Sequence, residues 1–327
     1  MKLKVRRRTF LRLTAGAATL PVLSAIARAE NYPTRPVHLV NGFAAGGIID
    51  VEARIIGQRL SERLGQPFIV DDRPGAATNI ATEFVVHAPP DGYTLLWVTT
   101  ANAINATVYP KLNFDFLRDI EPIASLDRFP LVMEVNPSVP AKTVPEFIAY
   151  AKANPGKINF ASGGIGSIQH VAGELFKYMT GVNLVHVPYR GAAPVLSDLL
   201  AGQVQLTFSP IGSSLSYIQA GKLRALAVTT PQRTQILPDV PAVAEFVPGY
   251  AATASDGLGA PKGTPPAIID RLHKEVNAAT ADPEIKARLA RLGSEPVQMT
   301  PGEFKAFLTE ETEKWAKVVK FAGIKPE

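Results

Sequence analysis

The chain of 327 residues contains no cysteine. A disulfide framework, a thiolate metal site, a catalytic thiol and a lipidated cysteine behind an export signal are all excluded. Missing motifs narrow the function further. There is no His-Glu-x-x-His arrangement, and His38, His87, His186 and His273 have no metal-binding spacing. No Gly-x-Ser-x-Gly nucleophile elbow occurs. Gly163 to Gln169 lacks the Lys-Ser or Lys-Thr of a phosphate loop, and Gln169 stands where a dinucleotide fingerprint needs its third glycine. Neither a metal nor a cofactor is expected. Beyond Ala29 no apolar run approaches the roughly 20 residues that span a bilayer, so no membrane insertion of the mature chain is expected.

Acid is missing from Met1 to Ala29, a segment that holds seven of the 34 Lys and Arg. Lys2, Lys4, Arg6, Arg7, Arg8 and Arg12 precede a mildly apolar run of small residues, Leu13 to Ile26, and Ala27-Arg28-Ala29 is an Ala-x-Ala cleavage site. This is the grammar of an export signal cleaved after Ala29, which places the mature protein in the periplasm. Arg7-Arg8-Thr9-Phe10-Leu11-Arg12 is similar to a twin-arginine signal, with Arg6 and Arg12 where a hydroxyl residue and Lys are usual. The general secretory route stays as the alternative. Without this segment 27 basic residues face 29 acidic ones, a net charge of −2, so the pI of 9.3 belongs to the signal. It gives no argument for a nucleic-acid partner. The mature length suggests about two domains.

What is present is organised around Val37 to Leu64. A short apolar run between Pro36 and Gly42 fits a buried strand, and Ile48, Val51, Ile55 and Leu60 recur with helical spacing. Between them lie Phe43, Ala44, Ala45, Gly46 and Gly47, a turn of mostly small residues that leaves the N–H groups opening the helix accessible. Those groups lack intrahelical partners and suit an anion, although Gly and Ala also serve any tight strand-to-helix turn. The same device returns at Ser162, Gly163, Gly164, Ile165, Gly166 and Ser167, ahead of a helix with apolar Ile168, Val171, Leu175, Phe176 and Met179.

Strands are expected at Pro67 to Asp71, Thr94 to Thr99, Ile158 to Ala161, Leu184 to Val187, Val204 to Phe208 and Leu223 to Val228. Helices are expected at Ala77 to His87, Phe147 to Ala153, Ala192 to Leu200 and Leu215 to Ala220, with Arg73-Pro74-Gly75 as a turn and Thr100 to Asn105 as a polar loop. Alternation of strands and helices implies parallel strand pairs, with ligands outside their carboxyl ends. The extended segment Ile120 to Val135 and the Pro- and Gly-rich Leu237 to Pro266 read as crossings between lobes. Three carboxyl-terminal helices follow, two of them opened by Asp282-Pro283 and by the capping box Thr300-Pro301-Gly302-Glu303. The fold class is therefore α/β, and two lobes joined by two crossings make a hinged clamp. Residues 30–126 and 251–327 form lobe 1, and 127–250 form lobe 2.

A family likeness is carried by Tyr32-Pro-Thr-Arg-Pro36, Phe43-Ala-Ala-Gly-Gly47 with Asp50, Arg73-Pro-Gly-Ala76, Pro90-Asp-Gly-Tyr-Thr-Leu-Leu96, Ala161-Ser-Gly163 with Gly166, Ser167 and His170, and His186-Val-Pro-Tyr-Arg-Gly191. Ala220-Gly-Lys-Leu-Arg-Ala-Leu-Ala-Val228, Leu237-Pro-Asp-Val-Pro241 and Gly259-Ala-Pro-Lys-Gly-Thr-Pro265 continue it in the same order. The chain resembles the tripartite tricarboxylate transporter solute receptors, or Bug proteins, from Tyr32 to about Gly323. The resemblance implies a two-lobed periplasmic binding protein of the Venus-flytrap kind, type II-like, with a mixed sheet and flanking helices in each lobe. It further implies capture of a small carboxylate-bearing organic anion, delivery to the permease subunits of a tripartite-type transporter, and a monomer with no enzymatic activity. The first pincer loop would be Phe43 to Gly47 with Asp50 and the second Ser162 to Ser167 with His170, while Thr100 and Asn102 would lie near the cleft rim.

Three departures stand out. Asn41, Gly42 and Ala45 replace a common Val-Pro and a Pro of the first loop. Ser209, counted among the ligand positions, stands where many members have Asp, and Ser255 stands where Trp is frequent. Asp50 and His170 each have a structural alternative, as a helix-dipole acid and as a hydrogen-bonder. An exported hydrolase or lyase reusing the fold, with Asp256 as a candidate acid, is the alternative function.

Overall fold

In the computed structural model, described for residues 32–189 and 191–326, the proposed export signal lies outside the described residues. The chain runs β1 (Val37–Asn41), α1 (Ile48–Leu64), β2 (Phe68–Asp72), α2 (Asn79–Val86), β3 (Thr94–Thr99), α3 (Thr100–Val108), α4 (Phe116–Asp119) and β4 (Ile120–Val135). It continues through α5 (Val144–Ala153), β5 (Asn159–Ser162), α6 (Ile168–Thr180), β6 (Val185–Pro188), α7 (Ala192–Leu200), β7 (Leu206–Pro210), α8 (Ile211–Gln219) and β8 (Arg224–Val228). Last come β9 (Thr253–Pro261), α9 (Pro266–Ala281), α10 (Pro283–Arg291), β10 (Glu295–Pro296) and α11 (Pro301–Ala322).

Two mixed sheet halves share one long strand. In the first, β1 pairs in parallel with β2 and β3, while β9 is antiparallel to β3 and to the first part of β4. In the second, β5 pairs in parallel with β6 and β7, and the last part of β4 is antiparallel to β7 and β8. The strand order β2-β1-β3-β9-β4-β7-β5-β6 makes β4 the element common to both lobes.

Alternation along the strands sorts side chains to two faces. Leu39, Leu95 and Trp97 pack with Ile56 and Leu60 of α1 and Leu272 and Val276 of α9. Their neighbours Val40, Leu96 and Val98 pack on the other face with Ala81 and Val85 of α2 and Phe304 and Leu308 of α11. Burying a side chain of this size contributes about 1.5–3 kcal/mol. Further along α11, Trp315, Val318 and Val319 join the core built around Phe147, Phe160 and Phe176. The carboxyl-terminal helix thus straddles the two halves.

One expectation is corrected, and a second segment holds more regular structure than expected. Thr100 to Asn105 is a helical stretch: Thr99 N–H donates to Asn102 Oδ1 at 2.8 Å, capping α3, and Ala103, Ile104 and Val108 are buried. Tertiary packing overrides the weak helix propensity of Thr and Asn. The segment Leu237 to Pro266 contains β9, a central strand. Its glycines are required there, because a Cβ on Gly257 would lie 2.3 Å from the Phe304 ring and one on Gly259 would lie 2.5 Å from Ile120.

Candidate functional site

Three strand-to-helix turns gather at the carboxyl ends of parallel strands: after β1, after β2 and after β5. In the first, Phe43, Ala44, Ala45, Gly46 and Gly47 are exposed. Gly46, at φ 81°, donates its N–H to Asp50 Oδ2 at 2.7 Å. Asp50 Oδ1 meets Arg54 Nε at 2.7 Å. Burial alone would raise the Asp50 carboxyl, but the Gly46 N–H and the Arg54 guanidinium outweigh it and hold it below its usual value. Phe43 N–H reaches Asn41 Oδ1 at 3.1 Å and Gly47 N–H reaches Ala44 O at 3.4 Å. Asn41 also donates to Asp72 Oδ1 at 2.8 Å, tying this turn to β2.

The turn after β5 repeats the arrangement. Gly166, at φ 77°, donates its N–H to His170 Nδ1 at 3.1 Å, again four residues on. Gly163 N–H donates to Gln169 Oε1 at 2.6 Å, and Gly164 N–H to Ser162 Oγ at 3.3 Å. Ser167 caps α6, accepting from His170 N–H at 3.3 Å. Ser162 is buried, with its Oγ 2.6 Å from His186 Nε2. The His170 and His186 rings stack at 3.7 Å, and His186 stacks on Phe160 at 4.8 Å. Desolvation and then the neighbouring positive charge depress His170 to about 3 and His186 to about 4, so both are neutral. Because Nδ1 accepts from Gly166, the His170 proton resides on Nε2.

The third turn is strained. Ala76, Ala77 and Thr78 have φ of 44°, 50° and 81°, each costing about 1–2 kcal/mol in a non-glycine residue. Asn102 Nδ2 donates to Thr78 Oγ1 at 3.3 Å and to Thr82 Oγ1 at 2.8 Å, and Asn105 Nδ2 donates to Ala77 O. Gly42 faces Thr78 so closely that a Cβ there would lie 2.5 Å from Thr78 Cβ, which accounts for the glycine ahead of the first turn.

A cavity of about 1170 Å³ has Pro74 to Ala77 on its wall together with Gly163 to Ile165 of the other half, and Val108, Tyr109 and Tyr189 also line it. No Lys or Arg among the described residues lines it. Of the expected site residues it brings in Gly163 and its loop neighbours Gly164 and Ile165; Phe43 to Gly47, Asp50, Thr100, Asn102, Ser162, Gly166, Ser167, His170 and Ser209 lie off its walls. Thr100 Oγ1 accepts from Ser255 N–H at 2.8 Å, and Asn102 supports the third turn from below. Ser209 pairs with Val132 where β7 meets β4, near the buried Glu134, whose carboxyl burial pushes up to about 7. Sequence reasoning missed Ala76, Ala77, Tyr109 and Tyr189, and also Gln169, whose amide nitrogen is buried without a partner among the described residues. A signal existed for two of them: Gly75-Ala76-Ala77 follows a parallel strand with the same run of small residues as the first turn.

Asp256 belongs elsewhere. With Glu52 and Asp127 it forms a buried group whose ligand atoms lie within 4.8 Å of one another. Ser294 Oγ donates to Asp127 and Trp97 Nε1 donates to Asp256 Oδ2 at 3.3 Å. Burial, followed by the mutual repulsion of the carboxyls, raises Glu52 and Asp256 well above the ordinary range, so the group shares protons. No histidine is among the hydrogen-bond partners of Asp256 in the described residues.

Comparison with known proteins agrees with this architecture. The model of the family described as tripartite tricarboxylate transporter family receptor matches residues 52–324. BugT of Bordetella pertussis is 35% identical over 306 residues, covering 93% of this chain and 94% of that protein. An R. palustris protein solved with adipate superposes with a TM-score of 0.80 at 39% identity, covering 90% of this chain and 100% of the other. MatC from Rhodopseudomonas palustris with bound malate gives 0.76 at 31% identity, covering 88% and 100%. The two sheet halves are the lobes of this kind of solute-binding protein. Among the described residues no helix is long and apolar enough to cross a membrane.

Proposed function

The chain belongs to the tripartite tricarboxylate transporter receptor family, and from that premise we propose that it is an exported receptor that closes on a small carboxylate-bearing organic solute and delivers it to a tripartite-type permease. The observation that carries the reading is a cavity walled by turns from both sheet halves and lined, among the described residues, by backbone and neutral side chains. Such a site holds a carboxylate by N–H donors. The adipate and malate bound in the two R. palustris relatives support this ligand class.

In this reading 30–126 with 251–327 is one lobe, 127–250 is the other, and β4 is the crossing about which they close. Ser162 to Ser167 and Phe43 to Asp50 are the pincers, with Asp50 and His170 setting the loops from behind. The signal ends at Ala29, the protein acts in the periplasm as a monomer, and no bond is made or broken. Charge-assisted hydrogen bonds contribute about 1.5–3 kcal/mol each, so three or four approach the roughly 8 kcal/mol of micromolar affinity.

The test is a thermal-shift screen of the mature protein against carboxylates, amino acids and aromatic acids, followed by recovery of the bound compound. Selective stabilisation by a carboxylate that is released chemically unchanged is expected. Release of an altered compound would establish the hydrolase or lyase alternative instead.

A further inference from the structure

We propose that Glu52, Asp127 and Asp256, together with the Ser294 hydroxyl, form a binding site for one hard divalent cation, Mg²⁺ or Ca²⁺. The inference goes beyond the receptor reading and does not rest on it, because these residues belong to neither pincer turn and line no wall of the cleft.

The three carboxyls arrive from three elements. Glu52 lies on α1, and Asp127 and Asp256 stand directly opposite each other where β4 pairs with β9. Their exposures are 0%, 1% and 1%. Carboxylates placed opposite on neighbouring strands repel unless a proton or a cation lies between them. Among the described residues no Lys, Arg or His supplies that charge. Donors are scarce as well. The Ser294 hydroxyl is shared between Asp127 Oδ2 and Glu52 Oε1, and the Trp97 indole reaches Asp256 Oδ2 at 3.3 Å. That leaves Glu52 Oε2 and Asp127 Oδ1 buried with no hydrogen-bond partner among the described residues. Free acceptors buried side by side call for a bound positive charge.

An all-oxygen donor set selects a hard cation. Each carboxyl offers one ligand atom, and these atoms lie within 4.8 Å of one another. Oxygens on opposite sides of Ca²⁺ stand about 4.6–5.2 Å apart, and across Mg²⁺ about 4.0–4.2 Å, so either ion fits among them. A shared proton joins one pair of oxygens at a time, whereas a cation meets all three carboxylates at once. A cavity of about 180 Å³ brings solvent up to Asp127. The bound ion fastens α1, which opens behind the first turn, to β4, the strand common to both sheet halves. Ser294 extends the link. Beside it the chain packs on α8 of the other half, so closely that a Cβ on Gly212 would lie 2.6 Å from Leu292 O. Occupancy therefore stiffens the junction between the halves.

The experiment is titration calorimetry of Mg²⁺ and of Ca²⁺ into the mature protein stripped with chelator, with the melting temperature recorded before and after each ion. About one equivalent of at least one ion is expected to bind and to raise the melting temperature, and the tighter of the two names the cation. Glu52→Gln keeps the side-chain shape and removes one charged ligand. It is expected to weaken that binding about tenfold or more, while melting in chelator no lower than the natural chain, which shows that it folds. Asp256→Asn, a change on a different element, is expected to show the same loss. Glu310→Gln, which alters an exposed acid on α11, is expected to leave the affinity within about twofold. Absence of stoichiometric binding by both ions overturns the site. So does binding that Glu52→Gln and Asp256→Asn leave intact, because the ion would then sit on surface acids. Neither result bears on solute capture, which the carboxylate screen reads separately.

Discussion

The turns after β1 and β5 are the same device closed by different chemistry. In each, a glycine at positive φ donates its N–H to the side chain four residues later, Gly46 to Asp50 and Gly166 to His170. The first acceptor is a carboxylate neutralised by Arg54, the second an imidazole kept neutral by burial. A loop that must receive an anion cannot place an unbalanced negative charge behind its donors. The second turn avoids the difficulty with a neutral acceptor, and the first resolves it with an ion pair.

The largest effects test whether both turns are pincers. A Cβ at Gly46 or Gly166 would meet nothing within 4 Å, so substitution acts through the backbone alone. Gly166→Val and Gly46→Val are both expected to lower carboxylate affinity about 100-fold by titration calorimetry, each by forcing a β-branched residue to leave positive φ. A full-affinity Gly46→Val protein would break the equivalence and leave the first turn as scaffold.

Acid should separate the two turns by a smaller margin. His170 and His186 are held at about 3 and about 4 in the folded chain, below the 6.5 of free imidazole. The unfolded chain takes up protons first, so their contribution to stability is complete above pH 6.5 and is lost as the pH falls towards 4. Asp50 is held below 3.8, so its contribution survives until the pH drops through that region. Hydrogen exchange should therefore show the Gly166 amide losing protection between about pH 6 and 4 while Gly46 keeps its own. Simultaneous loss would show that the lobes respond as one unit.

Alkali should act on the other half of the molecule. Glu52, Asp127 and Asp256 carry raised carboxyl affinities for protons, and Asp127 and Asp256 face each other where β4 and β9 pair. A raised folded value gives stability that is complete at low pH and declines as the pH rises. Glu52→Gln, which stays neutral, should raise the melting temperature relative to the natural chain more at pH 8 than at pH 5. An equal shift at both would mean that the carboxyls are not sharing protons.

Most elements were legible because period and punctuation agreed. β3 falls at Thr94–Thr99 as expected, and α6 begins behind Ser167 as expected. The polar residues of α3 concealed a helix because Asn102 and Asn105 stabilise it through contacts with α2 and the turn before it, which no local window contains. β9 was concealed by glycines demanded by Phe304 and Ile120 from other elements. The left-handed turn was the least legible, since Ala-Ala-Thr has no preference for positive φ and the groups enforcing it lie on α3. Repetition of small residues after parallel strands could be read; which donors each turn leaves free could not, because the acceptors are distant side chains.

The smallest effect concerns how the two helices begin. Ser167 caps α6 by accepting from His170 N–H, whereas Gly47 opens α1 with no side-chain cap. Exchanging the two residues isolates the cap from the pincer. Ser167→Ala should cost about 1 kcal/mol in denaturant unfolding, and Gly47→Ser should add a few tenths. Because the Gly166 to His170 bond involves Nδ1 and not Ser167, the carboxylate affinity of Ser167→Ala should stay within about twofold of the natural chain. A loss of affinity larger than the loss of stability would instead make the Ser167 hydroxyl part of the anion cradle. The second turn would then differ from the first in what touches the ligand as well as in what closes the loop.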